Sequence, residues 1–391
     1  NLSWSAVDKN IKSDLRSAVK ENGKVVLLSS TLISPAAKGA IDIFAANIGS
    51  QGGIFEHVTY DAISASGVLD ANEKTFGRRV LPTYNFDKAK TIVSFGADFL
   101  NTWLDSLSYT KQYISRRKPE GEWMSKHFQF ETSLSLSGSA ADIRGSLKPS
   151  QIAEAIKYVY SKLGGDVSSS IADPGLKDKL DISIKALKAS RGESIVVAGS
   201  NNGGVQLLIN AINEKLGNYD SKVIDIEKEV YTRKGDDLAF KNLSGQMNSG
   251  QIKALIVVGL NASFVAPASF NFDEGLSKVP TVIYTGDRID ETGSGASYLA
   301  PSSHYLESWD VLNPAIGEYA FTQPVIAPLF KTRQWQESLL NWSGNSTSYE
   351  DFVKGTAKTF LGSESAWIDA VHDGFISTSS VKIVQETIKL K

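Results

Sequence analysis

Short, uniformly apolar segments rich in β-branched residues recur along this chain, and each ends in small or polar residues. Strands that are apolar on both faces are typical of parallel sheets covered by helices on both sides. Five segments have this pattern: residues 25–30, 91–96, 195–200, 254–259 and 281–286. The sequence therefore predicts an α/β protein built on parallel sheets that are covered by helices.

Two of these segments are followed by stretches with the periodicity of a helix. Residues 35–48 and 205–216 place apolar side chains at the three- and four-residue spacing of one buried helix face. Each stretch ends at a glycine, Gly49 or Gly217, the residue type that commonly terminates a helix. A strand, a small-residue turn and a helix together indicate the βαβ units of a Rossmann-like fold.

The two strand–helix units recur at similar offsets. Gly217 lies 168 residues after Gly49, and Gly259 lies 163 residues after Gly96. Near-equal offsets predict two homologous lobes, although unrelated βαβ units also look alike. The predicted organisation is a first α/β lobe at residues 1–163, a polar connector at 164–190, a second α/β lobe at 191–329 and a helical tail at 330–391 that packs on the lobes.

Composition argues against several functional classes. The chain has 41 Lys and Arg against 43 Asp and Glu, and this net charge of −2 offers no basic field for nucleic acid. It has no cysteine, which excludes disulfides, thiolate nucleophiles, zinc–thiolate sites and ordinary iron–sulfur clusters. No apolar run reaches the roughly 18 to 20 residues of a membrane-spanning helix. Because Asn1 is not an initiator Met and no signal segment follows it, we expect a mature product or a fragment.

Catalytic and metal-ligating patterns are also missing from the sequence. The histidines His57, His127, His304 and His372 do not pair at metal-ligand spacing, which argues against a zinc or iron site. No Gly-x-Ser-x-Gly sequence occurs, which argues against a serine hydrolase. We therefore assign no catalytic and no metal-binding residue.

Small and polar residues follow four of the predicted strands. In open parallel sheets, ligands bind beyond the carboxyl ends of the strands, where loop N–H groups and helix N-termini meet phosphate. Neither a dinucleotide fingerprint nor a P-loop is present, so tight turns before helices explain these residues equally well. The candidates for a vestigial cleft are Ser30, Thr31, Gly96, Asp98, Gly199, Ser200, Asn201, Gly259 and Asn261.

A succession of motifs in the predicted second lobe resembles a known family. Residues 287–307 contain Glu-Thr-Gly, Ala-Pro, a histidine and Leu-Glu, in this order. Upstream, residues 254–261 form an apolar strand that ends in Gly-x-Asn, and downstream lies the pair Gln323-Pro324. This succession resembles the molybdopterin oxidoreductases, and it implies the fold of that family's nucleotide lobes.

The chain departs from that family at positions that hold its cofactor. The family typically has Pro-Gly-Thr-Asp, whose acid recognises the guanine of the pterin cofactor, where this chain has Lys-Pro-Ser-Gln at residues 148–151. Ser297 stands where the family has an aspartate, and the amino-terminal iron–sulfur cysteines have no counterpart. These departures imply that the cofactor is not held here.

One branch fits these departures better. Its similarity lies in residues 79–90, 94–100, 102–104, 124–127 and 136–142, which resemble the large iron–sulfur subunit of bacterial alternative complex III. That subunit keeps the molybdopterin-oxidoreductase fold without its cofactor and joins it to a separate domain with iron–sulfur clusters. The resemblance implies no cofactor in this chain, with iron–sulfur clusters expected only in a missing carboxyl-terminal portion.

The function that this resemblance implies is a non-catalytic scaffold in a menaquinol-oxidising respiratory complex. Such a chain would bind other subunits of a membrane-bound complex at the periplasmic face of the bacterial inner membrane. It would dock an adjacent iron–sulfur domain, without a membrane span of its own and without binding nucleic acid. Two alternatives stay open: a molybdopterin-dependent oxidoreductase fragment that retains its cofactor, and a two-lobed small-ligand binding protein.

Overall fold

The structure is a computed structural model that describes residues 2–378. Its helices are α1 (Trp4–Ala18), α2 (Pro35–Ser50), α3 (Ser66–Phe76), α4 (Ser106–Ser115), α5 (Leu136–Ala140), α6 (Ile152–Lys162), α7 (Pro174–Ala189), α8 (Gly203–Leu216), α9 (Asp237–Asn248), α10 (Ala262–Val265), α11 (Phe272–Leu276), α12 (Glu291–Ser294), α13 (Trp335–Trp342), α14 (Tyr349–Leu361) and α15 (Glu364–Asp373). Its strands are β1 (Lys24–Ser29), β2 (Ile54–Thr59), β3 (Leu81–Tyr84), β4 (Thr91–Phe95), β5 (Lys126–Glu131), β6 (Ile143–Ser146), β7 (Ser194–Ala198), β8 (Ile224–Val230), β9 (Ile252–Val258), β10 (Thr281–Tyr284), β11 (Tyr298–Leu299), β12 (Asp310–Ala315), β13 (Glu318–Thr322) and β14 (Phe375–Ser377).

The chain forms two compact units. Unit 1 contains the described residues up to Ile63 and from Lys234 onward, and unit 2 contains Ser64–Arg233. Each unit is built on a parallel sheet flanked by helices, so the predicted α/β fold class is confirmed. All five apolar segments predicted as strands are strands in the structure.

The parallel sheet of unit 1 has the strand order β11–β10–β9–β1–β2. Successive residues of β1 face opposite sides of this sheet. Val25 and Leu27 pack in a cluster with residues of α1, α2 and α13, whereas Val26 and Leu28 pack in a second cluster with residues of α9 and α11. Burial on both faces is why the sequence of β1 is apolar at every position from 25 to 28. Unit 1 also contains the antiparallel strands β12, β13 and β14.

The parallel sheet of unit 2 has the strand order β6–β5–β4–β7. Val93 and Phe95 of β4 pack with residues of α6, α7 and α8, whereas Ile92 packs in a separate cluster with residues of α4. The antiparallel pair β3–β8 also lies in this unit. As in unit 1, helices cover both faces of the central strand.

The units are divided differently from the predicted lobes. The predicted first lobe would hold β1 and β4 together, but β1 pairs with β9 and β4 pairs with β7. Unit 1 is therefore built from two distant pieces of the chain, and unit 2 is inserted between them. The offset of 168 residues between Gly49 and Gly217 relates β1 to β7, and these strands lie in different units. Strand pairing over such sequence distances is not encoded in local patterns, which is why the boundaries differ.

The segment predicted as a polar connector contains helix α7. Asp173 caps this helix and Pro174 is its first residue, so the turn signal in the sequence is a helix start. Leu180 and Leu187 are fully buried in the core of unit 2. The polar composition of residues 164–190 concealed an apolar helix face.

The described part of the predicted tail contains three helices and the short strand β14, and it belongs to unit 1. Helices α13 and α14 contact α2, and the loop between them spans residues 343–348. Residues 379–391 of this tail lie outside the described residues. Gly217 ends α8 in the left-handed region with φ of 73°, as predicted, whereas Gly49 lies inside α2, which continues to Ser50.

Candidate functional site

The candidate residues lie at the carboxyl ends of strands, as predicted, but in two separate groups. Ser30, Thr31, Gly259 and Asn261 follow β1 and β9, which are neighbours in unit 1. The other five, which follow β4 and β7 in unit 2, are Gly96, Asp98, Gly199, Ser200 and Asn201. What each group can bind depends on whether its polar atoms already have partners within the chain.

In unit 1, the Thr31 side chain belongs to a closed network around Asp61. The carboxylate of Asp61 accepts hydrogen bonds from Thr31 N at 2.8 Å, Thr31 Oγ1 at 2.6 Å and Gly235 N at 3.0 Å. Thr31 Oγ1 in turn accepts from Lys234 N at 2.7 Å. Asp61 is only 8% exposed, so its oxygens bond the chain rather than solvent. It was missed in the sequence because its partners lie 30 and 174 residues away.

Asn261 clamps the short helix α12. Its Oδ1 accepts from Thr292 Oγ1 at 2.8 Å, and its Nδ2 donates to Glu291 Oε2 at 2.6 Å. Asp290 caps the helix by accepting from Gly293 N at 2.9 Å. The Glu-Thr-Gly motif thus starts a short helix, with Asp290 as the capping residue. Asn261 connects the end of β9 to this motif.

At the N-terminus of α2, the capping residue Ser34 is hydrogen-bonded to the side-chain carboxyl group of Asp310. Ser34 caps the helix by accepting from Ala37 N at 2.9 Å and donates to Asp310 Oδ1 at 2.5 Å. Val311 N at 2.8 Å and Tyr349 Oη at 3.1 Å also donate to Asp310 Oδ1. Burial raises the pKa of Asp310 to about 6, although its hydrogen bonds act in the opposite direction. An acidic group therefore lies at the helix end where this kind of fold places phosphate.

A buried serine and a histidine lie side by side on β1 and β2, but they do not form a nucleophile pair. Ser29 Oγ is 2.8 Å from His57 Nε2 and donates to Ser30 O at 2.7 Å. Ser29 is fully buried inside the sheet. Burial, with a smaller effect from the charge of Lys38, lowers the pKa of His57 to about 4. Burial of Ser29 therefore removes its hydroxyl from solvent, and His57 is neutral near pH 7.

In unit 2, the turns after β4 and β7 touch each other. Gly199 N donates to Phe95 O at 3.0 Å, and a Cβ atom at Gly199 would lie 2.3 Å from Gly96 O. The carboxylate of Asp98 accepts from Ser137 N at 2.9 Å and Ser137 Oγ at 2.8 Å. Gly199 is therefore required by the close approach of two backbones, and Asp98 secures the start of α5.

The N-terminus of α8 is also covered by the chain. Asn202 caps the helix by accepting from Val205 N at 3.1 Å. Asn201 Oδ1 accepts from Gly67 N at 2.8 Å, and a Cβ atom at Gly67 would lie 2.3 Å from Asn201 O. Ser200 Oγ accepts from Asn202 N at 3.2 Å. The start of α3 thus packs directly on the loop that precedes α8.

The place where the family typically has a guanine-recognising acid forms a turn into α6. Residues 149–151 are one turn of 3₁₀-helix, and the side chain of Gln151 accepts from Lys148 N at 2.8 Å. Ser297, where the family has an aspartate, accepts from Val282 N at 3.1 Å. Both residues bond the backbone next to them.

Two buried titratable groups of unit 2, Glu131 and His127, lie on β5. The carboxylate of Glu131 accepts from Arg144 Nε at 2.7 Å, Ser135 Oγ at 2.6 Å and Gln129 Nε2 at 3.1 Å. Burial alone would raise the pKa of Glu131, but these hydrogen bonds lower it. Burial lowers the pKa of His127, on the same strand, to about 4. Among residues 2–378, no three His, Cys, Asp or Glu side chains are arranged to hold a metal ion.

The helix N-termini next to these strand ends already have partners within the chain. At α2, an incoming phosphate would meet the carboxyl group of Asp310, and at α8 it would meet the backbone of α3. No acid is available at residues 148–151 for a guanine base. No helix within residues 2–378 is both long and apolar enough to span a membrane.

Comparison with known proteins gives one relative in sequence and several in structure. No protein-family model matches the chain. A stretch of 141 residues, 34% of this chain, is 30% identical to the "Menaquinone reductase, molybdopterin-binding-like subunit" of Nitratidesulfovibrio vulgaris. This stretch spans a fifth of the relative's length, 20%.

Solved structures match nearly the whole chain. Acetylene hydratase from Pelobacter acetylenicus matches 97% of this chain with a TM-score of 0.67 at 13% sequence identity, and the match covers 64% of the hydratase chain. The chain shares the fold of acetylene hydratase. The formyltransferase/hydrolase complex of Methylorubrum extorquens matches 90% of the chain, and 97% of its own matched chain, with a TM-score of 0.55 at 14% identity. At such identities the likeness concerns the fold alone.

These relatives confirm part of the predicted resemblance. The sequence relative is named a molybdopterin-binding-like subunit, in agreement with the predicted resemblance to the molybdopterin oxidoreductases. The specific similarity to alternative complex III stays a prediction.

Proposed function

We propose that this chain is a non-catalytic, molybdopterin-oxidoreductase-like scaffold in a menaquinol-oxidising respiratory complex of the alternative complex III type. In this proposal it lies at the periplasmic face of the bacterial inner membrane, where it holds partner subunits and an adjacent domain with iron–sulfur clusters. It binds no pterin cofactor itself and lets other parts of the complex transfer the electrons.

The observation that carries this proposal is the internal use of the two helix N-termini. Asp310 bonds the cap of α2, and Gly67 lies against the loop before α8. Displacing Asp310 would break three hydrogen bonds, and leaving their buried donors unpaired costs on the order of 1–3 kcal/mol each. A cofactor would have to offset this cost before it gained any affinity.

The sequence relative supports the respiratory setting. Its printed name joins a molybdopterin-binding-like subunit to a menaquinone reductase. The absence of cysteine in the chain agrees with electron transfer through clusters held elsewhere. An enzyme fragment that retains its cofactor is the competing function.

The test is elemental and pterin analysis of the chain purified from its native membranes under mild conditions. We expect less than a tenth of an equivalent of molybdenum or tungsten, and no fluorescent pterin after oxidation. We also expect the chain to copurify with subunits that carry iron–sulfur clusters. The purified complex should oxidise a menaquinol analogue. Stoichiometric metal together with a pterin would refute the scaffold role and favour the enzyme fragment.

A further inference from the structure

An exposed apolar segment crosses the surface of unit 1 between β13 and α13. We call residues 325–330, Val-Ile-Ala-Pro-Leu-Phe, the apolar strap. All six residues are exposed, and Phe330, Leu329 and Val325 expose 77%, 72% and 68% of their surface. Consecutive exposed apolar residues are uncommon on soluble proteins and mark interaction sites.

The strap is fixed to the body of unit 1. Val325 N donates to Leu306 O at 2.8 Å, and Leu329 N donates to Glu307 Oε1 at 3.0 Å. Pro328 further restricts the backbone between these two bonds. A segment held in this way presents its apolar side chains without a large loss of conformational entropy on binding.

A groove adjoins the carboxyl end of the strap. Its volume is about 840 Å³. Its lining includes apolar residues and three charged ones: Leu2, Trp4, Ile289, Leu299, Asp287, Arg288 and Lys331. Lys331 follows the strap directly, and its carbonyl oxygen accepts from Trp4 Nε1 at 2.8 Å. This bond fixes one wall of the groove next to the strap, so the two form one continuous surface.

The strap and the groove carry neighbouring exposed apolar side chains. Leu2 and Ile289 expose 65% and 70% of their surface at the groove. With the six exposed residues of the strap they form an apolar surface of the kind that marks interaction sites on soluble proteins.

We infer that the strap and groove bind an apolar segment of a partner subunit, an inference that rests on the proposed scaffold function. The segment inserts an aliphatic or aromatic side chain into the groove and packs apolar residues on Leu329 and Phe330. It carries a carboxylate for Lys331, whose ammonium group has no ion pair within residues 2–378. A concave groove beside a non-helical strap favours an inserted polypeptide over the flat surface of a bilayer, which amphipathic helices usually bind.

The experiment compares Phe330→Asp with Leu107→Asp in the complex purified through a tag on this chain. Leu107 lies on α4 in unit 2 and is 86% exposed, so it serves as a matched control. Phe330→Asp is expected to reduce retention of one partner subunit at least tenfold, because aromatic anchors dominate interfaces, whereas Leu107→Asp leaves it unchanged. A photo-crosslinking amino acid at position 330, but not at 107, should join the chain to that same subunit.

Other outcomes overturn the inference. A crosslink from position 330 to a second copy of the chain or to lipid would assign the surface to that occupant instead. Undiminished retention of every partner by Phe330→Asp would remove the surface from the interface and leave the scaffold role standing. If the unmutated chain purifies without partners, or with a stoichiometric pterin, the proposed function itself fails.

Discussion

Asp310 provides a quantitative test of how the N-terminus of α2 is used. The residue as a whole is partly exposed, but its carboxyl group is enclosed by protein atoms, and burial raises its pKa from an ordinary value of 3.8 to about 6. At 1.36 kcal/mol for each pKa unit, this difference corresponds to about 3 kcal/mol. The folded state binds the proton more tightly than the unfolded state. The contribution of this proton to the free energy of unfolding is therefore fully present below about pH 4 and is lost as pH rises past about 6.

The substitution Asp310→Asn isolates this contribution. All three hydrogen bonds to the carboxyl group go to Oδ1, so an asparagine oxygen in the same place can accept them. The amide does not titrate. The free energy of unfolding of the unmutated protein should therefore fall relative to that of the variant between pH 4 and pH 7, by up to about 3 kcal/mol.

The assay is urea denaturation at several pH values, followed by tryptophan fluorescence. Buried Trp367 lies in the same unit and reports its unfolding. Other titrating groups change both proteins alike and cancel in the difference. A difference that is independent of pH, or that favours the unmutated protein as pH rises, would refute the reasoning.

Asp8 supplies a control of opposite sign. Burial alone would raise the pKa of Asp8, but hydrogen bonds from Arg333 and Trp342 and the charge of Arg333 lower it overall. This stabilisation is present above the ordinary pKa and is lost as pH falls. For Asp8→Asn, the unmutated protein should therefore gain stability over the variant as pH rises from about 3 to 5.

Two further substitutions, each with a matched control, test the packing of unit 2. Gly199→Ala places a Cβ atom 2.3 Å from Gly96 O and should destabilise the protein by about 1–3 kcal/mol in denaturant titrations. The control is Gly49→Ala, where a Cβ atom meets no atom within 4 Å, and it should stabilise α2 by about 0.5–1 kcal/mol. Equal changes in stability for the two variants would contradict the close approach of Gly199 to Gly96. Leu180→Ala should lower the free energy of unfolding by about 2–5 kcal/mol, because this side chain of α7 is fully buried. Its control is Ile182→Ala, which should change thermal stability little because Ile182 is 44% exposed. Similar small losses of stability in both variants would mean that α7 does not contribute to the core.

Local sequence patterns predicted much of the secondary structure. The apolar β-branched segments are strands because each central strand is buried on both faces. Residues 35–48 and 205–216 lie in helices, and Gly217 ends its helix in the left-handed region. The polar composition of residues 164–190 indicated a connector, but Leu176, Leu180 and Leu187 recur at helical spacing and bury one face of α7.

The candidate site was predicted only in part. The sequence placed Thr31 and Asn261 at strand ends, which follows from where each strand stops. It could not assign their partners, since Asp61 and Glu291 are defined by contacts across 30 residues. Neither did it identify Asp310 as the acid at the start of α2.

The sequence by itself determined the α/β class, five of the strands and the departures from cofactor-binding motifs, because each depends on residues that are close together in the chain. Only the tertiary structure decided that β1 pairs with β9 and β4 with β7. Along the chain, unit 2 therefore lies between the two parts of unit 1. The tertiary structure also brought Asp310 to Ser34 across 276 residues. Such pairings are set by burial and hydrogen bonding summed over the whole molecule, and no local pattern specifies which distant group will fill a given place.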